Sequence, residues 1–155
     1  MLDLYAELKS LITRLNEFKI DYALCGGLAL ALYGIPRATV DIDILVQKES
    51  LGKAQTLTRE LGYIMKANPM AFAQGAIEIH RVSKKDKETG DWFSLDFLLV
   101  TPPIQDVWKS RQEVEWEEGK LWVVSKAGLI FLKSLRGSGQ DLDDIQKLKG
   151  GLGEG

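Results

Sequence analysis

Residues 22–46 read YALCGGLALALYGIPRATVDIDILV and carry the clearest structural pattern in the chain. The apolar run 22–25 is too short for a helix and is typical of a buried strand. A glycine pair at 26–27 then opens a run of helix-forming residues, which Gly-Ile-Pro at 34–36 ends. Residues 40–46 begin by alternating apolar and acidic side chains with the period of two of a strand. The stretch therefore predicts a strand, a short helix that begins at the glycine pair, and a second strand.

The flanking sequence continues this mixture of helices and strands. Residues 3–18 place leucines at spacings of three and four, as an amphipathic helix does. Residues 93–100 predict a strongly apolar strand that carries one carboxylate, Asp96. The polar run 83–91 predicts a solvated hairpin loop. The remaining predictions are helices at 49–61, 126–135 and 141–148, and strands at 63–66, 76–82, 112–116 and 120–124.

Length and composition predict one α/β domain. The chain has 155 residues, of which 45% are hydrophobic, and a chain of this size buries enough surface to be stable alone. We find no repeat and no long segment poor in apolar residues, so we expect a single domain over residues 1–149. The glycine-rich residues 150–155 predict a flexible tail.

The content of cysteine, histidine and charge excludes several classes of protein. Cys25 is the only cysteine and His80 the only histidine, which excludes an internal disulfide and a Cys/His zinc site. Charged residues interrupt the N-terminal 18 residues, so we expect neither a signal peptide nor a membrane span. The net charge of −2 gives no general attraction to a polyanion. These features fit a cytoplasmic protein.

Asp41 and Asp43 form the first candidate site. Two residues apart on a strand, they project from one face with Cα atoms about 7 Å apart. Like charges on an apolar strand are unfavourable unless a cation lies between them, and Mg²⁺ prefers such oxygen ligands. Asp96, on another predicted strand, would complete a three-carboxylate metal site. The alternative is that these acids lie on solvated strand surfaces.

The glycine pair Gly26-Gly27 is the second candidate site. Glycine at a helix start leaves room for a phosphate to approach the backbone N–H groups. A plain tight turn is the alternative. The order strand, Gly-Gly, helix and Asp-x-Asp strand is more specific than either motif alone, and it predicts binding of a phosphate-bearing ligand beside a metal.

These motifs together resemble those of the polymerase-β-like nucleotidyltransferase superfamily. The resemblance rests on residues 22–46 and is strongest to the small branch that includes the AbiEii-type toxins. It implies an α/β fold with a nucleotidyltransferase-type mixed sheet flanked by helices and a short C-terminal helical segment. It also implies that Gly26 and Gly27 bind a nucleoside triphosphate, and that Asp41, Asp43 and Asp96 hold two Mg²⁺ or Mn²⁺ ions.

The resemblance extends to the approach to the Asp-x-Asp motif and to the C-terminal helices. Arg37, in the shared Arg-x-Thr-x-Asp-x-Asp pattern, is a candidate nucleotide-binding residue. The pattern over residues 129–145 matches the closing helices of the branch, where a lysine and a later aspartate recur near the site. The candidates there are Lys133 as a catalytic residue, Arg136 as a nucleotide-binding residue, and Asp141 and Asp144.

Two departures from the family pattern concern the phosphate contact and the final aspartate, Asp141. Many family members have serine after the first glycine, where this chain has Gly27, and residues 137–140 are less basic than is usual before the final aspartate. The function implied is transfer of a nucleotidyl group from an NTP to a hydroxyl of tRNA or protein, with an antitoxin protein as a possible partner. The alternatives are a small-molecule acceptor such as an antibiotic, and a non-catalytic nucleotide-binding partner subunit.

Overall fold

The computed structural model describes residues 3–35, 41–117, 119–137 and 139–154. The predicted nucleotide-binding residue Arg37 lies outside the described residues. The described residues form six α-helices and eight β-strands. The helices are α1 (Leu4–Glu17), α2 (Gly26–Leu32), α3 (Leu51–Glu60), α4 (Gln105–Lys109), α5 (Lys126–Arg136) and α6 (Gly139–Glu154). The strands are β1 (Tyr22–Cys25), β2 (Asp41–Val46), β3 (Met65–Lys66), β4 (Met70–Phe72), β5 (Ile77–Lys85), β6 (Trp92–Leu99), β7 (Gln112–Trp116) and β8 (Gly119–Val123).

The strands form one mixed sheet in the order β3-β5-β6-β2-β1-β8-β7, with β4 also paired to β5. β2 pairs in parallel with β6 and β1 in parallel with β8, whereas the other pairs are antiparallel. The two strands of the informative stretch, β1 and β2, lie at the centre. This arrangement confirms the predicted α/β fold with a mixed sheet.

Helix α1 packs against the central strand β2. The buried leucines of α1 lie on one side of that helix, as the predicted stripe requires. On the face that α1 covers, the amino group of Lys84 pairs with the carboxylate of Glu7. Arg81, three residues before Lys84 on β5, points to the opposite face because side chains alternate along a strand. That opposite face carries the candidate aspartates.

Several element boundaries differ from the sequence predictions. β5 extends to Lys85, into the predicted loop, because it continues to pair with β6 as far as Trp92. The predicted strand 63–66 shortens to Met65–Lys66, and the strand Met70–Phe72 and helix Gln105–Lys109 were not predicted. α6 runs to Glu154, so residues 150–154, predicted as a flexible tail, continue a helix in the structure. Their mobility stays a prediction.

Candidate active site

The three candidate aspartates lie on adjacent central strands and share one face. Asp43 pairs with Asp96 across the parallel strands β2 and β6. Asp41 is two residues before Asp43, so both side chains point to the same side. On its other side Asp43 pairs with Cys25, the last residue of β1. The sheet therefore brings the Asp-x-Asp motif beside both the third carboxylate and the start of α2.

Gly26 lies against the Asp43 side chain. A Cβ built on Gly26 would lie 2.7 Å from Cγ and 2.8 Å from Cβ of Asp43, closer than such atoms approach. Gly26 also has a φ of +66°, which glycine adopts at little cost. The sequence predicted this glycine for the approach of a phosphate, and the structure shows a second reason, the approach of Asp43.

The carboxylates accumulate negative charge in a poorly solvated place. Burial raises the pKa of Asp43 to about 7, with further contributions from the neighbouring charges of Asp96 and Asp41 and from a hydrogen bond to Asp96. Burial also raises the pKa of Asp41, and the nearby guanidinium of Arg81 lowers it in part. The cluster thus holds more negative charge than its protein surroundings neutralise, and a cation would relieve it.

Arg81 is the cation that sequence reasoning missed. Its Nε donates to Asp96 Oδ1 at 2.7 Å and its Nη2 donates to Asp96 Oδ2 at 2.9 Å, a bidentate pair. Arg81 and Asp96 lie directly opposite each other on the antiparallel strands β5 and β6. The available signal was a lone arginine in an alternating strand, but its register against Asp96 depends on a pairing that the sequence does not show.

A second ionic cluster joins the two C-terminal helices. The Lys133 amino group lies 2.9 Å from Asp144 Oδ2 and 3.4 Å from Asp141 Oδ1. Lys133 is 9% exposed, Asp141 2% and Asp144 0%, so all three residues are buried. Two aspartates of α6 supply the negative charge that a buried lysine requires. Arg136, with an exposed side chain, lies 3.6 Å from Asp141 Oδ2.

This C-terminal cluster adjoins the three aspartates. The charge of Arg136 lowers the pKa of Asp43 in part, which requires the two groups to be near each other. Lys133, Asp43 and Asp96 likewise all influence the thiol of Cys25, whose pKa is raised well above its usual value, chiefly by burial. Arg136 therefore lies within electrostatic range of Asp43, and Lys133 lies within range of the neighbouring Cys25. Their roles at the site stay predictions.

The donor chemistry fits a hard divalent cation in part. Carboxylate oxygens are the ligands that Mg²⁺ prefers, and the excess negative charge at Asp43 favours a cation there. Both oxygens of Asp96, however, already accept hydrogen bonds from Arg81. Among the described residues, no group of three or more acidic, histidine or cysteine side chains is arranged to hold a metal ion. Asp41 and Asp43 alone therefore fit a divalent cation better than the three carboxylates with Asp96 do.

Comparison with known proteins identifies the family. Residues 10–115 match the family model described as "Nucleotidyl transferase AbiEii toxin, Type IV TA system". The chain belongs to this AbiEii nucleotidyltransferase family. It is accordingly a transferase, and the resemblance drawn from residues 22–46 is confirmed. No curated protein matches at the sequence level.

Solved structures with the same fold support the architecture. A candidate nucleotidyltransferase from Thermotoga maritima matches with a TM-score of 0.65 and 20% identity, over 97% of this chain and 93% of that one. ANT(2'')-Ia, solved with adenylyl-2''-tobramycin, matches with a TM-score of 0.65 and 11% identity, over 95% and 88%. An antigenic nucleotidyltransferase-like protein from Paracoccidioides brasiliensis gives 0.58 and 19%, over 94% and 74%. Separately, no helix in the described part of the chain is long and apolar enough to cross a membrane.

Proposed function

We propose that this chain transfers a nucleotidyl group from an NTP to a hydroxyl of tRNA or of a protein, in a reaction that depends on Mg²⁺ or Mn²⁺. The contact between Gly26 and Asp43 carries the proposal. It joins the glycine pair, where the resemblance implies the triphosphate, to the carboxylate pair that would hold the metal. Both halves of a nucleotide–metal site therefore lie within one short piece of the central sheet.

In this proposal each residue has a defined task. Asp41 and Asp43 would hold the divalent ion, which when bound neutralises triphosphate charge and assists attack at the α-phosphorus. Gly26 and Gly27 would lie beneath the triphosphate. The described cations near it are Lys133 and Arg136, with Arg37 proposed from the family pattern. The acidic residues Asp141 and Asp144 would act through Lys133, by fixing its amino group.

The reaction replaces one bond to phosphorus by another. The acceptor oxygen forms a bond to the α-phosphorus while the bond to the pyrophosphate oxygen breaks, and pyrophosphate leaves. The hydroxyl proton passes to a base, for which Asp96 is the candidate. Each carboxylate oxygen has two lone pairs, so Asp96 can accept that proton although Arg81 occupies one site on each oxygen.

A small-molecule acceptor is the second candidate. The fold shared with ANT(2'')-Ia favours it. Beside Asp96, Arg81 and Lys85 alternate onto the same face of β5, so an acceptor at this edge of the site would meet basic as well as acidic side chains. We also propose, from the family description, that an antitoxin protein is the partner.

Transfer of label from α-³²P NTPs tests the function. The purified chain is incubated with Mg²⁺ and each NTP in turn, with tRNA, with cell protein and with antibiotics as separate acceptors. Asp43→Asn should abolish labelling, and Asp106→Asn, at an exposed aspartate of α4, should leave it unchanged. Labelled antibiotic alone would favour the second candidate. No labelling of any acceptor would contradict the proposal and favour a non-catalytic nucleotide-binding subunit.

A further inference from the structure

Asp96 already holds a cation before any metal binds. Both of its oxygens accept hydrogen bonds from Arg81, at 2.7 and 2.9 Å. We propose that the guanidinium of Arg81 takes the place of a second divalent ion on Asp96, so that the nucleotide-loaded site holds one ion, on Asp41 and Asp43. This inference rests on the proposed function and departs from the two ions that the family resemblance implies.

Strand pairing places Arg81 directly beside Asp96. The two residues are directly opposite on paired strands, so the sheet itself fixes their distance. The Asp96 side chain is 7% exposed, whereas that of Arg81 is 39% exposed. The ion pair therefore offsets mainly the cost of burying the Asp96 charge. A guanidinium does not lose its proton in a protein, and its charge is therefore always present.

A second divalent ion on Asp96 would meet two obstacles. It would have to share or displace oxygens that already accept hydrogen bonds, and it would lie close to a fixed positive charge that repels it. The described carboxylates agree with this picture, since no three of them are arranged around one metal position. Arg81 donates this bidentate pair of hydrogen bonds to Asp96, so the obstacle that it creates lies at Asp96.

The pairing is more than a device to align β5 with β6. Two residues further along the same strands, Ser83 and Ser94 face each other with hydroxyl oxygens 3.2 Å apart and no charge. Register between these strands therefore does not require an ion pair. The ion pair occurs where the neighbouring strand β2 supplies further carboxylates, which is where a cation is needed.

Equilibrium dialysis against Mn²⁺ and a non-hydrolysable NTP analogue tests the inference. The ratio of bound Mn²⁺ to bound nucleotide should be one for the wild type and two for Arg81→Gln. Arg81→Lys keeps the charge and should stay at one, and Arg59→Gln, at an exposed arginine of α3, is the matched control. Electron paramagnetic resonance should show spin-coupled Mn²⁺ only in Arg81→Gln, since paired ions lie about 4 Å apart.

Each result has a defined meaning. A ratio of two in the wild type overturns the inference and leaves the proposed function standing, and a ratio that stays at one in Arg81→Gln also overturns it. No nucleotide binding by the wild type contradicts the proposed function, and the inference with it. If thermal unfolding shows that Arg81→Gln is not folded, the Asp96→Asn variant tests the inference in its place. It should leave the ratio at one with Mn²⁺ affinity within about twofold, and loss of the bound ion overturns the inference.

Discussion

The side chain of Asp43 packs directly against the backbone of Gly26. Gly26 begins α2 with a φ of +66°, and the Asp43 side chain fills the space where a Cβ would lie. The absence of a side chain on one residue thus sets the position of the carboxylate on the other.

Gly26→Ala should therefore damage both stability and activity. A left-handed conformation costs a non-glycine residue about 1–2 kcal/mol, before the clash with Asp43 is counted. For a chain of this size that is a fall in Tm of several degrees. Displacement of Asp43 should lower nucleotide transfer further in protein that is still folded. Differential scanning calorimetry and a transfer assay below Tm measure the two effects.

Gly52→Ala is the matched control for this substitution. A Cβ on Gly52 meets nothing within 4 Å, and Gly52 lies inside α3, where alanine is favoured over glycine by about 1 kcal/mol. Its Tm should be unchanged or slightly raised. A Gly26→Ala protein as stable and as active as Gly52→Ala would show that the Gly26 contact has no importance.

The stability of the metal-free protein should depend on pH through Asp43. Its pKa is raised from about 3.8 to about 7 in the folded chain. Between these values the unfolded chain has lost the proton and the folded chain keeps it, so stability falls as pH rises from about 4 to about 7. Above about 7 the contribution is level. Relief of this charge by a cation is the property on which the proposed metal site depends.

Asp43→Asn isolates this effect because the amide does not titrate. In EDTA, the wild-type Tm minus the Asp43→Asn Tm should decrease across that pH range, and the variant should be the more stable protein at pH 8. Thermal unfolding by circular dichroism at five pH values measures it. The same series on Asp106→Asn controls for replacing a carboxylate by an amide. A difference that is constant or rises with pH would contradict the prediction.

Lys133→Ala should lower both stability and turnover. The substitution removes the cation that the buried carboxylates of Asp141 and Asp144 share, and removing one partner of a buried pair typically costs about 3–5 kcal/mol. Denaturation with urea should show this loss, and adding Asp144→Asn should recover part of it. Lys53→Met, at an exposed lysine of α3, is the control.

The loss of turnover needs a separate measurement. If Lys133 stabilises charge on the phosphates, kcat should fall by about a hundredfold in folded protein, the usual effect of losing one preorganised contact. The assay is run at a temperature where unfolding curves show the variant is native. Full turnover at that temperature would show that Lys133 serves only the packing of α5 against α6.

Sequence reasoning found the site where its signals were local. The alternation at residues 41–43 places Asp41 and Asp43 on one face of any strand, and the glycine pair marks the start of a helix whatever surrounds it. Asp96 followed from the need for a third carboxylate on a neighbouring strand. The sheet order then confirmed that β2 and β6 are neighbours.

The contacts between these residues and their partners depend on long-range pairing. Sequence reasoning named Asp141 and Asp144 as candidates but missed their pairing with Lys133, and it missed Arg81 altogether. Arg81 meets Asp96 only because β5 and β6 adopt one particular antiparallel register. Likewise, α6 could present Asp141 and Asp144 to Lys133 only once two helices had packed together. A single sequence records the pattern within an element well and the contacts between elements poorly.

Arg136 should act on nucleotide binding and hardly on stability, in contrast to Lys133. Its side chain is 54% exposed, its Nε lies 3.6 Å from Asp141 Oδ2, and its charge reaches Asp43. An exposed ion pair contributes at most about 1 kcal/mol, so Arg136→Gln should keep its Tm within a few degrees. Loss of a cation beside the triphosphate should raise the KM for NTP about tenfold, equivalent to about 1.4 kcal/mol, and leave kcat within about twofold.

Steady-state kinetics over a range of NTP concentrations measure this effect of Arg136→Gln, with Arg59→Gln as the control for an exposed arginine. An unchanged KM would remove Arg136 from the nucleotide site, and a fall in kcat alone would place it with Lys133 in the reaction step.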